Sequence, residues 1–191
     1  MILKNAEVFN GDFEKIRADV KIDGEKISKI GNFSSEDGLD LTGLVVMPGL
    51  IDMHIHGCGG ADTGDATPEA LETMLSAEEK SLFERFSDLK NGVTSFCPAS
   101  MTLSFEELTK IFANIDAMKD KVGGAYIHGA NMEGPYIAMS KKGAQNPLYV
   151  RNPDKEEFKK LYEGCNGAIR VVDIAPECEG GDEFIKEIQP I

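Results

Sequence analysis

The amino-acid sequence predicts an α/β protein in which a small antiparallel β unit precedes a parallel sheet covered by helices. Short strand-like runs separated by turns fill residues 1–47, and after them apolar runs alternate with amphipathic helical segments. Four such βα units make half of an eight-stranded barrel, whereas the parallel alternative is an open sheet with helices on both faces. A complete barrel takes about 250 residues. This sequence of 191 residues can therefore hold only part of one.

The turns of the first 47 residues indicate the antiparallel unit. Asn10-Gly11-Asp12 and Asp23-Gly24 separate runs of alternating apolar and polar residues, and Asp-Gly between two such runs is a strong hairpin signal. The predicted strands cover residues 2–9, 18–22 and 26–30, with short runs at 39–42 and 43–47. Pro48-Gly49 ends the unit and marks the predicted domain boundary.

The region from residue 48 onward shows four predicted strands and four predicted helices. The strands cover residues 50–56, 94–99, 125–132 and 169–175. Three helices are expected to begin near Thr67-Pro68-Glu69, near Ser104-Phe105-Glu106-Glu107 and near Asn152-Pro153-Asp154. At each start a capping residue precedes a proline or a carboxylate. A short fourth helix is predicted over residues 182–188.

The first of these helices has an apolar face and a clear stop signal. Its face is made by residues mostly three or four positions apart, namely Leu71, Leu75, Leu82, Phe86 and Leu89. Asn91-Gly92 is expected to end it. Such a face requires a sheet to pack against.

Composition excludes several classes of function. The formal net charge of -13 argues against a nucleic-acid partner, because phosphate backbones are bound by clustered Lys and Arg. No run reaches the roughly 18 apolar residues that a membrane helix needs, and the N-terminus does not resemble a signal peptide. We therefore expect a cytoplasmic protein without a membrane partner. The cysteines form no paired spacing and are expected to be reduced: Cys58, Cys97, Cys165 and Cys178.

The sharpest chemical signal is Asp52-Met53-His54-Ile55-His56-Gly57, at the end of an apolar run. Side chains on a strand alternate between its faces, so His54 and His56 point the same way and can chelate one ion. Imidazole suits zinc, iron and similar divalent ions. A histidine pair on a strand is more often without function. This pair, however, meets a Gly-rich loop at a strand end, where barrel active sites are built.

The second signal is Glu133, within Asn131-Met132-Glu133-Gly134-Pro135 at the end of the strand predicted over residues 125–132. A carboxylate on an apolar strand end is costly to bury unless it is paired or coordinated. Taken alone, Glu133 is better explained as a surface residue that opens a Gly-Pro turn. Together with the histidine pair it becomes a candidate metal ligand.

Other polar residues near the predicted strand ends are less specific. The loop over residues 141–147 fits a substrate loop with amide and ammonium donors, and fits solvated lysines equally well. His128 lies five residues before Glu133, on the opposite face of the strand, so we expect a packed side chain rather than a ligand. Cys58 and Cys97 lie near strand ends and could line a pocket, but small buried thiols are the commoner case.

Taken together, residues 48–57 (Pro-Gly-Leu-Ile-Asp-Met-His-Ile-His-Gly) resemble the signature of the amidohydrolase superfamily. Residues 91–99, 132–137, 141–145 and 175–177 are similar, in order and spacing, to the N-acetylglucosamine-6-phosphate deacetylase family. The resemblance implies a partial (β/α)8 TIM-type barrel over residues 48–191, about its first four βα units. It also implies that residues 1–47 are part of a small antiparallel β-sandwich domain.

The same resemblance implies roles for individual residues. Glu133 matches the family's carboxylate ligand to the catalytic metal. His54 and His56 match a pair that holds a second ion in some members, so one or two divalent ions such as Zn, Fe or Mn are expected. Gln145 falls at a substrate-contact position that is often His, and Asn146 beside it is the other predicted substrate contact. Asn131 stands where the family commonly has His.

The reaction that the resemblance implies is hydrolysis of the acetyl group of N-acetylglucosamine 6-phosphate, giving glucosamine 6-phosphate and acetate. A divalent ion would lower the pKa of a bound water and polarise the acetamide carbonyl. An aspartate would then pass the proton to the departing amine. The family takes that aspartate and two further metal histidines from the second half of its barrel. We therefore expect no catalytic acid or base before residue 191, and no activity of the chain alone.

Two alternatives remain open. A dihydroorotase- or hydantoinase-like ring opener shares the His-x-His strand but typically holds its metals with a bridging carboxylated lysine, where this sequence has Glu133-Gly134-Pro135. The other alternative is a truncated, non-catalytic scaffold. Because a half barrel exposes strand edges and apolar surface, it favours a homodimer or another form of self-association.

Overall fold

The computed structural model describes residues 1–12, 14–33, 37–83, 93–121 and 125–189. The chain divides into two compact units, Met1–Gly49 and Leu50–Ile191. This division lies close to residue 47, after which the sequence pattern changes from short hairpins to βα units.

The first unit contains one sheet of five short strands among the described residues. These are β1 (Ile2–Phe9), β2 (Lys15–Asp23), β3 (Lys26–Gly31), β4 (Leu39–Asp40) and β5 (Val45–Val46). The pairs β1/β2 and β2/β3 are antiparallel, which confirms the two predicted hairpins. Ala6, Val8 and Val20 form the buried apolar centre of the unit.

The sheet of this unit is mixed, so the prediction of a purely antiparallel unit was wrong. Both β4 and β5 pair with β1 in the parallel direction, through Leu3 with Leu39 and Glu7 with Val45. Hairpin turns predict only the pairing of strands that are adjacent in sequence. The return of the chain to the other edge of β1 depends on a longer connection, which no turn signal specifies.

The second unit carries the βα units. Its elements are β6 (Leu50–Ile55), β7 (Gly57–Cys58), β8 (Ala61–Asp62), α1 (Pro68–Phe83), β9 (Val93–Pro98), α2 (Phe105–Met118), β10 (Tyr126–Ile127), β11 (Ala130–Glu133), α3 (Lys155–Gly164), β12 (Ile169–Asp173) and α4 (Gly181–Ile188). Among the described helices, none is long and apolar enough to cross a membrane.

Neighbouring strands of this unit follow one another in sequence order. β6 pairs with β9, β9 with β10, and β11 with β12, all in parallel. An isolated parallel bridge between Ala99 and Asn131 joins the β9 side to β11. Residues at the carboxyl ends of these strands are therefore brought to one edge.

The helix starts follow the predicted caps. The side chain of Ser104 accepts a hydrogen bond from the backbone N–H of Glu107, whose carboxylate accepts one from the backbone N–H of Ser104. α3 begins near the predicted Asn152-Pro153-Asp154, with Asp154 as its N-cap: the Asp154 side chain accepts a hydrogen bond from the backbone N–H of Glu157. The predicted end of α1 at Asn91-Gly92 lies outside the described residues.

Helices α1, α2 and α3 pack on the parallel strands through one apolar core. Leu71 and Met74 of α1, Phe112 and Ile115 of α2, and Leu161 of α3 are all buried in it. The face predicted for the first helix thus packs as expected at Leu71, whereas Phe86 and Leu89 lie outside the described residues.

The segment predicted as one strand over residues 125–132 is two short strands, β10 and β11. Gly129 lies between them with φ 139, and a Cβ there would lie 2.7 Å from the carbonyl oxygen of Ala168. This close approach requires glycine and interrupts the alternation of side chains. The prediction that His128 is packed was consequently wrong, because its side chain is exposed with its ring edge-on to Tyr126.

Candidate metal centre

Three side chains from two parallel strands converge at the carboxyl edge of the second unit. His54 lies in β6, His56 follows it directly, and Glu133 is the last residue of β11. One ligand atom from each lies within 4.8 Å of the others. The structure therefore brings together the three residues that the sequence analysis singled out as metal ligands.

The separations within this group match those of ligands around one small ion. Nε2 of His54 lies 3.3 Å from Nε2 of His56 and 3.4 Å from Oε2 of Glu133. Two ligands bound about 2.0–2.1 Å from a tetrahedral zinc ion are about 3.4 Å apart. Nε2 of His56 is closer to Oε2 of Glu133, at 2.8 Å. The ligand types, two imidazoles and one carboxylate, suit Zn and similar divalent ions.

The contact between His56 and Glu133 has the chemistry of a cation site. Nδ1 of His56 lies 3.2 Å from the carbonyl oxygen of Ala99, which can only accept, so this contact favours the neutral tautomer with its proton on Nδ1. Its Nε2 then presents a lone pair to Glu133. Oε2 of Glu133 is buried and makes no hydrogen bond within the described residues, although Nε2 is so near. Two electron-pair donors at this separation are stable only with a proton or a cation between them.

Two further polar side chains face the other edge of the His54 ring. Nδ1 of His54 lies 3.1 Å from Nδ2 of Asn131 and 3.8 Å from Oδ2 of Asp173. Asp173 ends β12 and is the register partner of Glu133. Burial raises the pKa of the Asp173 carboxyl, the positive charge available at His54 opposes this shift, and the charge of Glu133 adds to it.

Asp173 was missed by the sequence analysis, although the signal was the same as for Glu133. Both are carboxylates near the end of an apolar parallel strand. Asp173 lies inside the predicted strand over residues 169–175, and no neighbouring Gly-Pro turn marks it as the last residue of that strand.

Gln145 and Asn146 lie in the loop after β11 and are outside the three-residue group. Gln145 is buried, and its Oε1 accepts a hydrogen bond from the backbone N–H of Thr102 at 2.6 Å. The side chain of Asn146 is exposed, and its Oδ1 accepts one from the backbone N–H of Leu148. Nζ of Lys142 donates to the carbonyl oxygens of Gly143 and Gln145. Gln145 thus ties the loop to the segment after β9.

The cysteines contribute no ligand to this group. None of the four forms a disulfide, and Cys97 and Cys165 are buried. Cys97 is buried, and burial raises the pKa of its thiol, with the negative charge of Asp52 adding to the effect. His128 is also outside the group.

Comparison with known proteins agrees with the geometry. Residues 45–188 match the amidohydrolase family. The chain is 32% identical over 149 residues to an N-acetylglucosamine-6-phosphate deacetylase of Bacillus subtilis, which covers 76% of this chain and 35% of that protein. It is 30% identical over 192 residues to a deacetylase of the same name from Lysinibacillus sphaericus, covering 98% of this chain and 47% of that protein.

A solved structure shows the same fold. N-acetylglucosamine-6-phosphate deacetylase from Thermotoga maritima matches 99% of this chain and 46% of its own, with a TM-score of 0.77 and 25% sequence identity. The chain thus spans between a third and a half of the length of these relatives. Because the family match extends over most of its residues, the chain belongs to the amidohydrolase family.

Proposed function

We propose that this chain supplies part of the active site of a metal-dependent deacetylase. The reaction is removal of the acetyl group of N-acetylglucosamine 6-phosphate, with glucosamine 6-phosphate and acetate as products. The observation that carries this proposal is the convergence of His54, His56 and Glu133 in a chain whose relatives are named for that activity.

In this proposal His54, His56 and Glu133 hold a divalent ion such as Zn, Fe or Mn, one or two per complete site. The amidohydrolase family is typically metal-dependent, which supports the assignment. When bound, such an ion supplies Lewis acidity for the hydrolysis of an amide. The hydrogen bond from Nδ1 of His56 to Ala99 fixes the ring so that Nε2 faces the site. The carboxylate of Glu133 lowers the net positive charge there.

We propose Gln145 and Asn146 as contacts to the sugar phosphate. They follow β11 on the side where Glu133 lies, and loops after barrel strands commonly build the substrate site. Oε1 of Gln145 accepts from Thr102, and its Nε2 donates to the sulfur of Met101 at 3.6 Å, a weak acceptor that an oxygen of the sugar phosphate would replace. Asn146 is exposed, and the hydrogen bond that its Oδ1 accepts from Leu148 leaves its Nδ2 as a donor for a ligand.

The proposed architecture is the N-terminal half of a (β/α)8 barrel over residues 48–191, with residues 1–47 as part of a small β-sandwich domain. The strands β6, β9, β11 and β12 lie side by side in the order in which they occur in the sequence. This arrangement supports the barrel, because a doubly wound sheet reverses its strand order at a switch point. In this arrangement the proton-transferring aspartate lies beyond residue 191. The 191-residue chain is then expected to release no acetate.

The test is zinc binding and acetate release by the purified 191-residue chain. We expect one zinc ion in competition with a chromophoric chelator, and loss of this binding in His56→Ala. A folded chain, shown by circular dichroism, that binds no zinc would overturn the proposed metal centre. Steady acetate release from N-acetylglucosamine 6-phosphate would instead show that the catalytic machinery is complete within these residues.

A further inference from the structure

The Nδ1 edge of His54 is approached by two groups with opposite hydrogen-bonding character. The Asn131 amide nitrogen, Nδ2, lies 3.1 Å away and can only donate. The carboxylate oxygen Oδ2 of Asp173 lies 3.8 Å away and, when ionised, can only accept. One neutral imidazole nitrogen cannot satisfy both, because it carries either a lone pair or a proton.

The present arrangement favours Asn131. Its Nδ2 also lies 3.2 Å from the carbonyl oxygen of Met53, so one N–H points at Met53 and the other at His54. In the neutral tautomer that accepts from Asn131, Nδ1 of His54 holds a lone pair and Nε2 carries the ring proton, on the side where Oε2 of Glu133 lies 3.4 Å away. A protonated Nε2 cannot bind a metal ion.

Metal binding through Nε2 requires the other tautomer of His54. One proton leaves Nε2, one is taken up at Nδ1, and the neutral ring then needs an acceptor at Nδ1. Asn131 offers an acceptor only if its amide turns over, which loses the hydrogen bond to Met53. Asp173 needs a movement of about 1 Å to reach a charge-assisted hydrogen bond.

We propose that Asp173 is a positioning residue of the metal centre: it accepts the hydrogen bond from Nδ1–H of His54 and so selects the tautomer whose Nε2 binds the ion. This rests on the proposed metal centre of His54, His56 and Glu133. A carboxylate that holds the far nitrogen of a metal-bound histidine raises the basicity of the ligand and fixes its ring.

The position of Asp173 beside Glu133 supports this role. The two residues are register partners on paired strands, and like charges side by side on a sheet destabilise it. Their side chains are 44% and 27% exposed, so neither is fully solvated. An ion bound by Glu133 and His54 offsets this repulsion. It neutralises Glu133 by direct contact, and it acts on Asp173 by polarising the imidazole of His54 that lies between them.

The test compares zinc affinity of the 191-residue chain with that of Asp173→Asn, by competition with a chromophoric chelator. We expect about 10- to 100-fold weaker zinc binding by Asp173→Asn, the usual loss when a metal-bound histidine loses the group that accepts a hydrogen bond from its other nitrogen. Asp120→Asn is the matched control, because Asp120 is exposed beyond the end of α2, and it should bind zinc as the wild type does. Asp173→Glu keeps the acceptor and should retain most of the affinity.

Imidazole ¹⁵N NMR of the zinc-loaded wild-type chain supplies a second readout, which a merely structural role of Asp173 would not move. We expect a protonated Nδ1 and a zinc-bound Nε2 on His54, with the Nδ1 signal shifted in Asp173→Asn. Zinc bound through Nδ1, or equal affinities of wild type and Asp173→Asn, would overturn the role of Asp173 alone. Absence of zinc binding by the wild type would overturn the metal centre itself, and with it this inference.

Discussion

Nε2 of His56 lies 2.8 Å from Oε2 of Glu133, although the two residues are 77 positions apart and β9 runs between their strands. The contact exists because β6 and β11 both run parallel to the β9 segment. Ile55 of β6 pairs with Pro98 at the end of β9, and the next residue, Ala99, forms a bridge with Asn131 of β11. The candidate metal centre is therefore a direct consequence of strand register.

Replacing Glu133 by Gln removes the negative charge of the group while keeping its shape. If Glu133 binds the ion as proposed, we expect zinc affinity to fall by more than about 100-fold, the largest loss usual for a residue that only contacts a ligand. Chelator competition measures the change. Glu106→Gln is the control, since Glu106 is exposed on α2 and should leave zinc binding unchanged.

The carboxylate of Asp19 should make the stability of the chain depend on pH. The backbone N–H groups of Asn5 and Phe33 donate to it, each at 2.8 Å, and they hold its pKa below the usual range. A group with a depressed folded-state pKa stabilises the fold above its unfolded pKa of about 4, and this contribution disappears as pH falls through the folded value.

Urea unfolding at a series of pH values checks this prediction against Asp19→Asn. The wild type should exceed the variant in unfolding free energy at pH 6, and the gap should narrow steadily from about pH 4 downward. A gap that stays constant down to pH 2 would show that the charge of Asp19 is not what makes its contacts with Asn5 and Phe33 stabilising.

The core beneath the parallel strands should be sensitive to loss of volume at Phe112. This side chain of α2 is fully buried, whereas Phe105 at the start of the same helix is 37% exposed. We expect Phe112→Ala to lower the free energy of unfolding by about 3–5 kcal/mol through lost burial and a cavity. Phe105→Ala is the control and should cost distinctly less. Similar losses at both positions in urea unfolding would contradict the described packing.

Self-association stays a prediction, and the exposed apolar residues of β6 indicate the surface through which copies of the chain would associate. Leu50, Ile51 and Met53 on this strand are 49%, 53% and 60% exposed. Within the described residues β6 pairs only with β9, which leaves its other edge open. We expect size-exclusion chromatography with light scattering to show a dimer or larger species, and Ile51→Lys to shift it toward monomer. A wild type that is monomeric at all concentrations would remove the basis for the scaffold alternative.

Local patterns accounted for most elements of the fold. The capping signals at Ser104 and near Asn152-Pro153-Asp154 placed the starts of α2 and α3, and alternation placed His54 and His56 on one side of a strand end. The pattern failed at residues 125–132, where Gly129 interrupts an apolar run that reads as continuous. The reason for that interruption is the close approach of Ala168, a residue distant in sequence.

The sequence by itself determined which groups are available for chemistry, namely the two imidazoles and the carboxylate of Glu133, because strand alternation and turn signals act over a few neighbouring residues. Only the tertiary structure decided that β4 and β5 run parallel to β1, and that Asn131 and Asp173 compete for one nitrogen of His54. These relationships depend on register between strands far apart in the chain, and register is fixed by packing across the whole sheet.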